Sequence, residues 1–128
     1  MEVAPGRFDG VDKRLYHYRA RVVRVIDGDS CIIDIDTGFG IWLRGERCRL
    51  AGIDAPETWR NPEPGGEEAT AWLRDELAKT DNEVIIQTEK SSDKYGRWLV
   101  WIYTDWYPLM SLNRVMVKKG LAVNYPAE

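Results

Sequence analysis

Cysteine occurs only at Cys31 and Cys48, and histidine only at His17. Two thiols so far apart in the chain suggest neither a zinc site nor a Cys-x-x-Cys redox pair. Both lie in apolar, strand-like runs and are expected to be buried, reduced thiols, bridged only if the fold makes them neighbours across a sheet. His17 has no partner motif and reads as an ordinary surface or core histidine. No apolar run approaches the roughly 20 residues that a membrane span needs. The N-terminus, M-E-V-A-P-G-R-F-D-G, lacks the basic-then-apolar layout of a signal peptide, so a cytoplasmic location is expected if the chain is full length. An excess of positive charge is missing too: 18 Lys and Arg face 21 Asp and Glu, a formal net charge of -3. That argues against a nucleic-acid coat protein, basic over a whole face, but leaves room for an enzyme whose cations share one pocket.

What is present is the composition of a globular chain, with 44% hydrophobic and 30% charged residues and 6 Trp expected largely in the core or half-buried in strands. Residues 1–15 read as a loose arm rich in Pro, Gly and charge, and 16–128 as one domain. Tyr18 to Ile26 and Ser30 to Asp36 are β-rich runs around an Asp27-Gly28-Asp29 turn, a hairpin with Asp29 at its corner. A third strand begins at Ile41, is interrupted at Arg44-Gly45-Glu46 and continues to Ile53. Loop residues follow Glu57, and then a helix from Glu67 to about Lys79 with Ala69, Trp72, Leu73, Glu76 and Leu77 on one face. Glu83–Glu89 and Arg97–Tyr103 predict two more strands. A second helix is predicted from Ser111 to Lys119, with Gly120 as its left-handed stop. The pattern is mainly β with α: a five-stranded β-barrel of the OB type capped by helices.

The stretch Arg47-Cys-Arg-Leu-Ala-Gly-Ile-Asp-Ala-Pro-Glu-Thr58 carries the densest chemistry. As a strand it puts Arg49, Ala51 and Ile53 on one face and Leu50, Gly52 and Asp54 on the other. Pro56 ends the ladder and presents Glu57 at the strand mouth. Carboxylates beside guanidiniums suit phosphate chemistry, offering oxygen ligands to a hard cation and planar forks to the anion. A surface salt-bridge cluster has the same composition.

Four motifs in order narrow the choice: Val25-Ile-Asp-Gly-Asp-Ser30, Arg49-Leu-Ala-Gly-Ile-Asp-Ala-Pro-Glu-Thr58, Asp93-Lys-Tyr-Gly-Arg97, and Leu112-Asn113 followed by Lys119-Gly-Leu-Ala122. From about Tyr18 to Leu121 the chain resembles the staphylococcal nuclease (thermonuclease-like) family. The resemblance implies calcium-dependent hydrolysis of DNA or RNA to 3′-phosphate products, with low sequence specificity. It implies Asp29, Asp54 and the backbone carbonyl of Ala55 as Ca2+ ligands. Glu57 would position or deprotonate the attacking water, and Arg49 and Arg97 would grip the phosphate. Lys94 and Tyr95 would flank the pocket, or form a plain surface turn. Tyr125 would contact a base or serve packing, Trp59 would stack on a base or anchor its loop, and Asp27 would form an Asx-type turn. Arg47 receives no role and reads as a surface or supporting charge.

The implied partner is a nucleic-acid substrate, with no membrane, and a monomer is expected. The loop from Glu57 to Glu68 looks shorter than in the type member and lacks its lysines. Any further C-terminal helix of larger relatives is expected to be absent or reduced. The rival reading is a weak or inactive nuclease-fold module that binds nucleic acid or protein. It predicts missing catalytic side chains, and none is missing. A small-ligand OB module would need an apolar pocket with few charges.

Overall fold

The computed structural model describes residues 14–58, 61–89, 91–107 and 109–126. The arm up to residue 13 and the Trp59 ring lie outside the described residues. Period-two alternation builds the barrel. β1 (His17–Asp27), β2 (Ser30–Gly38) and β3 (Ile41–Leu50) form a meander, and β5 (Glu83–Thr88) and β6 (Trp98–Tyr103) close it in the order β1-β2-β3-β6-β5. All neighbours are antiparallel except β3 and β6, which run parallel through Cys48–Trp98, Arg49–Leu99 and Leu50–Val100. Ala20, Val22, Ile33, Ile35, Val84, Ile86, Val100 and Ile102 point inward and are buried. This is the mainly-β, five-stranded OB-type barrel expected from the alternating runs.

Two register shifts in β1, between Val22 and Arg24 and between Val25 and Asp27, interrupt the alternation. A bulged residue reverses which face the following side chains occupy. Ala20 and Val22 point inward before the shifts, and Asp27 is the buried side chain after them. Two shifts cancel in parity, so the burial of Asp27 and Asp29 at the β1–β2 corner is set by what packs over that corner rather than by the bulges.

The third strand does not run on to Ile53. It stops at Leu50, and Gly52 turns the chain with φ 76°, a left-handed conformation that other L-residues adopt at a cost. Ile53–Asp54 is a separate two-residue strand, β4, paired with β7 (Val123–Asn124) near the C-terminus. The facing expected of one continuous strand is thereby lost: Leu50 and Asp54, expected on one face, are buried and exposed respectively. A Cβ on Gly52 would lie 2.5 Å from Cη2 of Trp101. Gly52→Ala is expected to destabilise the fold by about 2–3 kcal/mol, combining left-handed strain with overpacking, measurable as a lower urea midpoint.

The helices cap the barrel. α1 (Gly66–Ala78) buries Ala69, Leu73 and Leu77, each fully buried leucine contributing about 2–3 kcal/mol. Lys79, expected in the last turn of α1, is its C-cap instead. α2 (Leu112–Lys118) starts on Ser111, whose side chain accepts from the Arg114 amide, and buries Leu112, Val115 and Met116. Gly120, at φ 75°, follows it as expected of a left-handed stop. No helix among the described residues is long and apolar enough to cross a membrane.

Candidate active site

Asp29 sits at the β1–β2 corner, where Asp27 accepts from its amide (3.3 Å) in the Asx-type turn expected there. Three bonds tie Asp29 to its surroundings: its carbonyl accepts from the Leu50 amide (2.8 Å), and its carboxylate from the Ala55 amide (2.8 Å) and the Ser30 hydroxyl (3.2 Å). This lashes the hairpin to the segment that carries Asp54. Burial pushes the Asp29 carboxyl above its ordinary range. The Ala55 amide pulls it back and the neighbouring Asp27 raises it again. Asp54 is also raised, by burial and then by the charge of Asp29, with Arg49 opposing.

Arg49 is committed more heavily than its expected grip on a phosphate. Its Nη2 lies 3.6 Å from Asp29 Oδ2 and 3.4 Å from Asp54 Oδ1, and its Nη1 donates to the carbonyls of Ile53 (3.0 Å) and Leu50 (3.4 Å). The guanidinium lies over the Tyr125 ring at 5.4 Å. Tyr125, fixed by donation from its amide to the Gly52 carbonyl (2.9 Å), is exposed over the site rather than packed in the core.

Asp29, Arg49, Asp54, Ala55, Glu57 and Arg97 line one cleft of about 450 Å³. Glu57 follows β4 in irregular chain, with its side chain exposed. Arg97 enters from the start of β6, held by Asp93. Asp93 accepts from the Arg97 Nε (3.0 Å) and from the amides of Arg97 (2.9 Å) and Tyr95 (2.8 Å). The Tyr95 ring lies 5.4 Å from the Arg97 guanidinium and 5.2 Å from the Lys94 ammonium. An adjoining cleft of about 660 Å³ shares Arg49, Asp54 and Arg97 with the first and adds Lys94, Tyr95, Trp101 and Tyr125.

The donor chemistry suits a hard divalent cation. Two carboxylates stand together, each raised above its ordinary range first by burial and then by a neighbouring aspartate, Asp27 beside Asp29 and Asp29 beside Asp54, and the oxygens on offer match a hard cation such as calcium. Among the described residues no three carboxylate, imidazole or thiol side chains converge into a closed cage. A cation here would be held openly, with coordination positions left for water and substrate. The thiols offer nothing to it. Cys31 and Cys48 face each other across β2 and β3 yet are unbridged, and burial pushes Cys31 well up and Cys48 to about 12.

Three contributors were missed in the sequence. Arg47 shares the Arg49 face and lines the cleft, a position that period two in β3 already implied. Asp93 stands four residues before Arg97 in a turn sequence, the spacing of an Asx-type bond. Trp101 packs on Gly52 with the Arg114 guanidinium 5.0 Å from its ring, and nothing local announces it.

Asp93 also supplies a pH test. Burial alone would raise its carboxyl, but the amides of Arg97 and Tyr95 and the Arg97 guanidinium hold it below the ordinary range. A depressed carboxyl stabilises the fold above its unfolded pKa, about 4, and loses that contribution as pH falls through the folded value. Asp93→Ala is therefore expected to lower the melting temperature more at neutral pH than in acid. If Arg97 acts on substrate, cleavage should fall by about tenfold once its anchor is gone.

Residues 47–128 match the model of the family described as staphylococcal nuclease homologue. The chain is 34% identical over 106 residues to a thermonuclease of Staphylococcus hyicus, covering 80% of this chain and 56% of that protein. It is 37% identical over 105 residues to a thermonuclease of Staphylococcus intermedius, covering 79% and 56%. An endonuclease of Saprolegnia parasitica is 31% identical over 120 residues, covering 84% and 56%. The chain thus spans just over half the length of these relatives.

Proposed function

Because the chain belongs to the staphylococcal nuclease family, we propose that it is a calcium-dependent phosphodiesterase that cuts DNA or RNA with low sequence specificity and leaves 3′-phosphate ends. The observation that carries this reading is the convergence of Asp29, Asp54, Arg49, Glu57 and Arg97 on one cleft. The relatives named thermonuclease and endonuclease support it.

In this reading Asp29, Asp54 and the main-chain carbonyl of Ala55 hold Ca2+, which when bound neutralises charge on the phosphate oxygens. Glu57 orients the attacking water and takes up its proton as the water oxygen bonds to phosphorus. The P–O5′ bond breaks, and the departing oxygen takes a proton from solvent. Negative charge builds on the equatorial oxygens, where arginine forks act well because they stay protonated and bind bidentately. Arg97 meets that charge from one side. Arg49 bridges the carboxylates and reaches the phosphate from the other. Lys94 serves a neighbouring phosphate, and the Tyr95 and Tyr125 rings offer faces to the nucleotide.

The test is cleavage of single-stranded DNA and of RNA with millimolar calcium and with chelator. Shortening in calcium alone is expected. Calcium should also raise the melting temperature, because it binds the folded state, and Asp54→Ala should remove that rise. Oligonucleotide binding without shortening at any calcium concentration would overturn the reading in favour of a non-cutting module.

A further inference from the structure

Glu57 has no regular element to hold it: β4 ends at Asp54 and α1 begins at Gly66. A catalytic carboxylate on irregular chain needs its backbone fixed by something else, since a misplacement of about 1 Å costs on the order of 10²-fold in rate. The fixing comes from Glu63. The Glu57 amide donates to Glu63 Oε1 (3.1 Å), and the Glu63 amide donates back to the Glu57 carbonyl (3.0 Å). Both main-chain polar groups of Glu57 are thus taken by one residue. Glu63 is anchored in turn, its carbonyl accepting from the Gly66 amide (3.1 Å) at the first residue of α1.

Gly66 shows how tightly the clamp is shut. A Cβ there would lie 2.2 Å from the Glu57 carbonyl oxygen and 2.8 Å from its carbon. Only a residue without a side chain lets the helix start against the backbone of Glu57. Gly65, at φ 88°, turns the chain into the helix, and a Cβ on it would lie 3.6 Å from Pro56 Cγ. The rigid helix, the clamp and Glu57 form one chain of contacts.

We infer that Glu63 is a positioning residue for Glu57, its carboxylate oxygen and backbone amide holding the Glu57 main chain so that the catalytic carboxylate faces the cleft. The inference rests on the role proposed for Glu57. It acts through hydrogen-bond geometry rather than charge, and this separates it from a plain electrostatic effect on Asp54, whose carboxyl Glu63 also pushes upward. Glutamine keeps an acceptor oxygen at the same reach without the charge. Aspartate keeps the charge but is one methylene too short.

The experiment compares Glu63→Gln, Glu63→Asp and Glu63→Ala for kcat, KM on a single-stranded oligonucleotide and melting temperature, with Glu57→Gln as reference. Glu63→Ala and Glu63→Asp are expected to lower kcat by about 30-fold, with KM within about threefold of wild type and Glu63→Gln within about threefold in kcat. In a Glu57→Gln background Glu63→Ala should cost little further rate, because the two residues act as a unit. Glu63→Gln as slow as Glu63→Ala would make charge the cause and overturn the inference. So would a rise in KM alone, or a lower melting temperature with kcat intact. If Glu57→Gln itself cleaves at the wild-type rate, the role of Glu57 fails. If Glu57→Gln is slow and Glu63→Ala is normal, the Glu63 inference alone fails.

Discussion

Glu57→Gln is expected to slow phosphodiester cleavage by about 10³-fold, within the range that a positioned general base contributes. The amide is nearly isosteric and can still hydrogen-bond water, but it cannot accept the proton. The loss should therefore fall on kcat, with KM little changed. Glu57 is exposed and its structural bonds are made by the backbone, so the melting temperature should stay within a degree or two of wild type. Single-turnover cleavage at saturating calcium measures the chemical step directly. A wild-type rate would remove Glu57 from the chemistry and leave cleavage to be carried by the other groups of the cleft. The same assay on Arg97→Ala should show a loss of about 10²-fold or more, the scale for removing one donor to developing charge.

Asn113→Ala should have the largest effect on stability, about 4 kcal/mol. The Asn113 side chain lies at 0% exposure between α2 and the barrel. Its Oδ1 accepts from the Ile102 amide (3.1 Å), and its Nδ2 donates to the carbonyls of Ala51 (2.8 Å) and Val100 (2.9 Å). Alanine would take a partner from one buried donor, the Ile102 amide, and from two buried acceptors, the carbonyls of Ala51 and Val100, of which Val100 keeps the Ala51 amide (2.8 Å), and Ala51 would lose its tie to α2. Each buried group left unsatisfied costs about 1–3 kcal/mol. For a chain of this size the loss corresponds to roughly 15 °C in melting temperature. Asn113→Asp should do no better, since a carboxylate cannot donate to either carbonyl and adds a buried charge. Urea unfolding with an unchanged slope and a lowered midpoint would show the effect to be one of stability. Because Ala51 leads through Gly52 to Asp54, the variant should also weaken the calcium-induced rise in melting temperature.

Much of the architecture was legible because its causes are local. Alternating buried residues marked β1, β2, β5 and β6 to within a residue or two. The Asp27-Gly28-Asp29 turn placed the first hairpin. Ser111 and Gly120 bracketed α2, since a side-chain oxygen before a helix and a left-handed glycine after it satisfy end groups within a few residues. The largest structural expectation that failed, a third strand running to Ile53, failed at Gly52. A glycine inside a β-like run fits either a strand or a turn, and the choice is made by Trp101 packed against it from β6. The cysteines carry the same lesson: their facing positions follow from the β2–β3 register, which spacing alone did not settle.

The amino-acid sequence by itself determined which chemical groups this protein owns, the strands and helices that carry them, and the family to which its motifs point. Those properties depend on neighbours a few residues away. The tertiary structure alone decided how the groups meet. It set Arg49 between Asp29 and Asp54, paired β4 with β7, put the Asp54 segment under the hold of Asn113, and closed Glu63 and Gly66 on Glu57. These contacts depend on barrel closure and a parallel β3–β6 pairing. They join residues from well-separated parts of the chain, or across a loop whose path no periodicity sets, so local pattern could supply the parts of the cleft without its geometry.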